Sequence, residues 1–280
     1  MEKLKGFYYV TAASGKSHII QYAQYALRSL IRTGVSVEDI YCVVNTQKDL
    51  KTVKKLVPSL KNIYVVNEKI DHIRWTYMGG KRKYSVFKAA GLYRCIEPIK
   101  DKCMVYFDTD VLFFKDPSEF LRTKWHKTWF HHGKDLETVS VRKSRAGRKM
   151  KKSEVNINNF KSLSRWVSAP AAWCMIKHKA KRLPDKEAVA GFYILRPEDH
   201  KKLLKLTYEN CLGIVKQFRN HADVGDQKPM NAALNILGID WHGGDRFACP
   251  EHLEYFEHYF GTKSRKREFY AAIKTKINWG

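Results

Sequence analysis

Val105-Tyr106-Phe107-Asp108-Thr109-Asp110-Val111-Leu112-Phe113-Phe114 is an apolar run interrupted by two carboxylates two residues apart. Its flanks predict a strand buried on both faces, where an uncompensated charge is costly. In an extended chain positions i and i+2 point the same way, so Asp108 and Asp110 can converge on one cation. Hard divalent ions such as Mg²⁺ and Mn²⁺ take oxygen ligands and keep positions open for phosphate oxygens. The plainer alternative is a strand-end turn with capping aspartates, since Asp favours turns. Turn aspartates, however, are usually followed by polar residues rather than by Val-Leu-Phe-Phe.

Upstream of this run the pattern alternates. Phe7–Ala12 predicts a first strand, and 18–33 a helix with Ile19, Ala23, Ala26, Leu27 and Leu30 on one stripe and Gly34 after its end. Residues 40–45 predict a second strand, 48–56 a helix stopped before Pro58, 62–66 a third strand and 84–96 a helix, followed by the strand 103–107. Strand and helix in alternation predict an α/β protein with a parallel sheet flanked by helices. Open sheets of this kind bind ligands at the carboxyl ends of their strands, where Asp108 and Asp110 fall. Downstream, 188–195 predicts a strand, Pro197 opens a helix reaching about Val215, and 226–237 predicts another. A short stretch at 241–247 and a helix over 266–277 complete the chain. Ser14-Gly15-Lys16-Ser17 ends like a nucleotide-binding P-loop, but the place of its first glycine is taken by Val10, inside the strand.

The chain has 280 residues, enough for one large α/β domain. No apolar run approaches the roughly 20 residues that a membrane span needs. The start, Met1-Glu2-Lys3-Leu4-Lys5-Gly6, lacks the apolar core and cleavage site of a signal peptide, so a cytoplasmic protein is expected. Six cysteines without a C-x-x-C pair predict buried free thiols. His131-His132, near His126, has no cysteine or carboxylate at ligand spacing and predicts no structural zinc site.

The charge is uneven: 52 Lys and Arg stand against 28 Asp and Glu, a net +24. Residues 122–186 hold 18 of the basic and 4 of the acidic residues, so +14 of that charge lies in under a quarter of the chain. The densest run is Arg142-Lys143-Ser144-Arg145-Ala146-Gly147-Arg148-Lys149-Met150-Lys151-Lys152. Trp125, Trp129, Phe130, Phe160, Trp166 and Trp173 are interleaved through the wider segment. A basic patch attracts polyanions, and aromatics beside it can stack on bases or sugars. A solvated surface loop is the competing reading of any such charge run.

An apolar strand that ends in Asp-x-Asp behind a βαβα unit resembles the nucleotide-sugar glycosyltransferases of the GT-A fold. Three further segments are similar to the glycogenin and lipopolysaccharide galactosyltransferase family. Tyr9-Val10-Thr11-Ala12-Ala13-Ser14 resembles its first strand and nucleotide-holding loop. Asp226-Gln227-Lys228-Pro229-Met230-Asn231 resembles the helix start beside the sugar. His258-Tyr259-Phe260-Gly261-Thr262-Lys263 resembles the C-terminal element that supplies a histidine ligand and a diphosphate-binding lysine.

The resemblance covers most of the chain outside 122–186. It implies a single GT-A domain, Rossmann-like, with a mixed sheet flanked by helices and 122–186 as a basic insertion after the Asp-x-Asp strand. It implies Mn²⁺ (or Mg²⁺) held by Asp108, Asp110 and His258, and a UDP-sugar held by Thr11, Ala12, Ala13, Thr109, Gly261 and Lys263. Asp226 and Gln227 take the sugar-facing, catalytic places, although Asp226 also suits a helix N-cap. Ser264-Arg265-Lys266-Arg267 replaces the family's usual Pro-Trp, which leaves Lys263, Arg265 and Lys266 as diphosphate-binding candidates. The family's helix arginine has Lys88 or Arg94 as its counterpart.

The acceptor is expected to be polyanionic. A strongly basic segment after the metal motif suits a phosphate backbone held near a sugar donor, with Arg142, Lys143, Arg145, Arg148, Lys149, Lys151 and Lys152 as its contacts. A hydroxymethylated base in DNA, as in bacteriophage genome modification, is the favoured acceptor. A surface polysaccharide, lipid-linked glycan or protein is the alternative, and a non-catalytic nucleic-acid-binding protein is the rival of a different class.

Overall fold

The computed structural model describes residues 6–68, 75–77, 80–82, 86–95, 101–124, 126–136, 151–218, 227–243, 253–259 and 263–277. The strand β1 (Phe7–Ala13) is buried throughout and lies between β2 (Ile40–Val44) and β6 (Cys103–Phe107), parallel to both. β3 (Asn62–Val65) extends the sheet beyond β2. On the other side, β9 (Lys186–Leu195) runs antiparallel to β6 and to β8 (Thr128–Asp135), and β10 (Trp241–Gly243) closes the edge. The order is β10-β8-β9-β6-β1-β2-β3, a seven-stranded sheet flanked by helices; it is mixed, as the resemblance implies, rather than parallel throughout as the alternation alone predicts. β9 alone opposes the common strand direction.

Each face of the sheet has its own apolar layer. Tyr9, Val105, Phe107, Phe192 and Ile194 meet Ile19, Ala23, Ala26, Leu27 and Leu30 of a helical rod, α1, formed by Lys16–His18, Ile19–Ala23 and Gln24–Arg32. The middle portion of α1 is π-helical; its extra residue shifts the phase between the N-terminal turn and the core-facing stripe. The helix α2 (Gln47–Leu56) adds Val53 to this layer. On the opposite face Tyr8, Val10, Met104, Tyr106 and Tyr193 pack under α3 (Val86–Cys95), and a short helix α4 (Ser118–Arg122) follows the Asp-x-Asp motif.

The described parts of the basic segment contribute to the sheet and to a core of their own. β8 is a central strand, and α5 (Phe160–Trp166) and α6 (Ala169–Lys177) enclose a satellite core around Trp166. The helices α7 (Pro197–Gln217) and α8 (Gln227–Leu237) join this core to the main layer, Ala232 in the former and Leu203, Leu204, Met230 and Leu234 in the latter. Trp129, Phe130 and Trp166 are fully packed, which corrects their reading as bases' stacking partners: their apolar surface is spent on the core. Among the described aromatics of the segment, Phe160 is the exposed one, at 43%. The run Arg142 to Lys149 and Trp125 lie outside the described residues.

Three smaller pieces complete the chain. β4 (Trp75–Tyr77) and β5 (Gly80–Arg82) pair as a hairpin. β7 (Val111–Phe113) pairs antiparallel with β11 (Phe256–His258), which sets Val111 opposite His258. The last helix, α9 (Lys263–Thr275), begins three residues earlier than its apolar pattern suggests and lays Phe269, Ala272 and Ile273 against Leu112 and Tyr259. Cys42, Cys95, Cys103, Cys174 and Cys211 are buried and free, and burial pushes the thiols of Cys42, Cys95, Cys103 and Cys174 up to about 12, which makes them inert.

One buried group gives the fold an acid limit. His200 on α7 lies against the Tyr8 hydroxyl at 3.4 Å, and burial pushes its imidazole down to about 4. The unfolded chain binds that proton near pH 6.5, so stability is full above this pH and falls as pH drops from there to about 4. The loss is on the order of 3 kcal/mol, since each tenfold change in proton affinity between the two states is worth about 1.4 kcal/mol. His200→Phe is expected to flatten this limb in urea titrations at pH 4 and pH 7; an unchanged acid loss would place its origin in other groups.

Candidate metal centre and donor site

β6 ends at Phe107 and the chain turns at once: the Val111 N–H donates to the Asp108 carbonyl at 3.1 Å. Asp108 and Asp110 therefore meet across a turn, not by strand alternation, which corrects the geometric premise while keeping its result. One carboxylate oxygen from each and one His258 ring nitrogen lie within 4.8 Å of one another. His258 Nε2 stands 3.0 Å from Asp110 Oδ1. The backbone fixes all three residues. The Asp108 N–H donates to the Gly191 carbonyl at 2.7 Å, the Tyr259 N–H to the Asp110 carbonyl at 2.9 Å, and His258 is registered on Val111. The Ser29 hydroxyl, on α1, accepts from the Phe113 N–H at 3.1 Å and pins β7 from behind.

Gly191 is what lets His258 reach the site. A Cβ placed there would stand 2.1 Å from His258 Cε1, and the next nearest atoms are also in that ring. The imidazole thus lies directly over the β9 backbone.

Lys88 on α3 is buried, with 8% of its side chain exposed, and its ammonium donates to Asp108 Oδ1 at 3.0 Å. The Tyr106 hydroxyl donates to the same oxygen at 2.5 Å, and the Lys88 ammonium also sits 4.1 Å from the Tyr106 ring centre. Both bonds land on Oδ1 and leave Oδ2 for an ion. Arg94 bonds the Val66 carbonyl and pairs with Glu68, so Lys88 is the helix cation at the aspartates. Thr109, buried between the two carboxylates, shares a 2.7 Å hydrogen bond with His18 Nε2 on α1. Burial holds the His18 imidazole below the usual histidine range, although Asp110 and Asp108 pull it upward.

The loop after β1 is tied to α2 by a buried carboxylate. Asp49 accepts from the Gly15 N–H at 3.0 Å, the Ser14 hydroxyl at 3.4 Å and the Thr46 hydroxyl at 2.9 Å. Gly15 has φ +87°, which a side chain would resist. Thr11, Ala12 and Ala13 are buried in β1, and the Thr11 hydroxyl has no hydrogen-bond partner among the described residues.

At the start of α8, Gln227 Nε2 donates to Glu187 Oε1 at 3.0 Å, and Lys228 pairs with the same oxygen. Asn231 clamps the neighbouring backbone of β9, accepting from the Ala188 N–H at 2.7 Å and donating to its carbonyl at 2.8 Å. Lys263 is the first residue of α9, and the Lys266 ammonium lies 5.6 Å from the Tyr22 ring centre. Of the expected acceptor contacts, the Lys151 N–H bonds Glu154, and Lys152 pairs with Asp185 at 2.5 Å. Asp226, Gly261, Arg142, Lys143, Arg145, Arg148 and Lys149 lie outside the described residues.

Sequence reasoning missed Tyr106, His18, Glu187 and Gly191. His18, Glu187 and Gly191 act on residues far away in the chain, which no local pattern marks; Tyr106 stands two residues before Asp108, and that i, i+2 spacing on a strand is the signal that could have found it.

No protein-family model and no curated protein matches the chain. Among solved structures it is similar to the galactosyltransferase LgtC in complex with donor and acceptor sugar analogues, at 14% identity and a TM-score of 0.47, over 96% of this chain and 99% of that one. It is similar to mouse xyloside xylosyltransferase 1 in its apo form, at 12% identity and a TM-score of 0.45, over 86% and 85%. A protein described as a glucose-1-phosphate thymidylyltransferase from Bacillus anthracis, in complex with sucrose, matches at 12% and 0.45, over 98% and 97%. No helix among the described residues is long and apolar enough to cross a membrane.

Proposed function

We propose that the chain is a divalent-metal-dependent glycosyltransferase that moves a sugar from a nucleotide-sugar donor, a UDP-sugar, to a polyanionic acceptor. The favoured acceptor is a 5-hydroxymethylated base in DNA. The observation that carries the transferase reading is the meeting of Asp108, Asp110 and His258, from two distant segments, at the carboxyl end of β6. Two carboxylates and one imidazole suit Mn²⁺ or Mg²⁺ and leave room for phosphate oxygens. Such an ion, when bound, offsets the negative charge that grows on a departing nucleoside diphosphate.

The chain's own residues support this in three ways. Lys88 and Tyr106 hold Asp108 in one orientation through Oδ1, and Lys88 adds a fixed positive charge beside the leaving group's place. Asp49 and Gly15 shape the loop after β1, which on the resemblance cradles the nucleotide. Glu187 draws the Gln227 amide nitrogen to itself, so the Gln227 carbonyl oxygen is the group offered to a sugar hydroxyl. Asp226, Gly261 and Lys263 take their proposed roles from the resemblance.

The acceptor assignment is supported by charge. An open groove of about 1120 Å³ is lined by Lys152, Lys181, Arg182, Lys186, Trp241 and His242, among others. Lys152 and Arg182 are paired with Asp185 and Asp240, whereas Lys181 and Lys186 have no carboxylate partner among the described residues. A phosphate backbone supplies the missing anions.

The test is nucleoside mass spectrometry after incubation with Mn²⁺, a panel of UDP-sugars and DNA carrying cytosine or 5-hydroxymethylcytosine. A hexose- or pentose-sized gain on the hydroxymethylated base alone is the expected result. Metal-dependent release of UDP with no nucleoside gain would keep the transferase and move the acceptor to a glycan, lipid-linked sugar or protein. Silence in both readouts would overturn the reading in favour of a non-catalytic binding protein.

A further inference from the structure

His131, His132 and His258 form a second group of donor atoms, with one ring nitrogen from each within 4.8 Å of the others and all three residues buried. Neighbouring residues on a regular strand point to opposite faces of a sheet. His131 and His132 escape this rule because the register of β8 against β9 shifts between Phe130 and His132. An irregularity of this kind re-aims side chains, and here it brings the two ring centres to 3.9 Å. The His132 ring lies near-parallel to that of His258, at 18° and 6.4 Å. Apolar rings wall the cluster: Phe256 stands 5.4 Å and Phe192 6.1 Å from His131.

We propose that these three imidazoles form a metal site of their own, for a borderline transition ion such as Zn²⁺. Three nitrogen donors with no carboxylate among them favour Zn²⁺, Co²⁺, Ni²⁺ or Cu²⁺ over Mg²⁺ and Mn²⁺. Three histidines and one further ligand such as water make a complete tetrahedral set for zinc. Zn–N bonds of about 2.0–2.1 Å place such nitrogens roughly 3.4 Å apart, so small ring rotations close the cluster from its present spread. His258 is shared. Its Nε2 faces Asp110, so an ion drawn to the imidazoles takes His258 away from the carboxylate pair, and zinc acts as an antagonist of Mn²⁺ there. The sequence hides this site because the third ligand comes from β11, far along the chain from the His-His pair. The site depends on the three rings and not on the transferase reading.

X-ray absorption at the zinc edge of the full-length, zinc-loaded protein counts imidazole ligands directly, and three are expected. Cobalt titration, followed by its visible band, then compares variants. His131→Phe combined with His132→Gln is expected to weaken Co²⁺ binding by about 100-fold or more. Asp108→Asn combined with Asp110→Asn is expected to leave Co²⁺ binding at the imidazoles within about threefold, because neither carboxylate belongs to the three-histidine group. One imidazole with oxygen ligands, the reverse ranking of the two variants, or no zinc binding at micromolar concentrations would each overturn the proposal. If the histidine variant does not fold by far-UV circular dichroism, the ligand count in the unaltered protein decides alone.

Discussion

Asp110→Ala is expected to lower Mn²⁺-dependent release of UDP from a UDP-sugar by about 10³-fold, a barrier increase of roughly 4 kcal/mol. Its cost in stability is expected to be smaller than that of Asp108→Ala, because it takes a partner from one His258 ring nitrogen and from no buried ammonium. The Asp110 side chain is bonded to His258, while the contact that organises the turn, from the Tyr259 N–H, uses the backbone carbonyl that alanine also has. Asp108→Ala differs. It removes the partner of a buried ammonium and of the Tyr106 hydroxyl, so it costs stability as well as activity, on the order of 1–3 kcal/mol. The upper figure for breaking a fully buried pair does not apply, because more than a third of the Asp108 side chain is exposed. Activity of Asp110→Ala within tenfold of the unaltered protein, at the same Mn²⁺ requirement, would remove Asp110 from the metal site.

These two aspartates also show how far the sequence carries. They were legible because an apolar run with two charges in it has few explanations, and β1, β2 and β6 were legible because strands buried on both faces leave continuous apolar runs. Their bounds are within one residue of the pattern. β8 was not legible. Thr128-Trp129-Phe130-His131-His132-Gly133-Lys134-Asp135 lies in the most basic part of the chain and carries an irregularity that breaks its alternation. Charge dominated the reading of 122–186, yet Trp129, Phe130 and Trp166 turn inward, while Lys152 and Arg182 engage carboxylates at the surface. A count of basic residues does not say which of them are already paired. The π-helical turn of α1 and the bond between His18 and Thr109 were equally hidden, since both arise from packing between segments that no local propensity joins.

Gly191→Ala is expected to abolish most transfer, by about 100-fold or more, although the new methyl group touches neither donor nor acceptor in the proposed reaction. A Cβ at this position stands 2.1 Å from His258 Cε1, and 3.0 and 3.1 Å from the two ring nitrogens, so one of the two groups must move. The backbone is held close to this point: β9 pairs with β8 at Val189 and Tyr193 and with β6 from Phe192 onward, and the Gly191 carbonyl accepts the Asp108 N–H. The ring therefore swings away from Asp110, and the overpacking costs about 1–3 kcal/mol of stability. A double-mutant cycle separates the two effects. In a His258→Ala background the same glycine substitution should cost little stability, because the ring it strikes is gone, while activity stays lost because a ligand is gone. An equal stability loss in both backgrounds would mean that Gly191 is needed for the strand itself. A Gly191→Ala protein that keeps its Mn²⁺ affinity and its turnover would show that His258 contributes nothing to the metal centre, and the donor set would shrink to the two carboxylates.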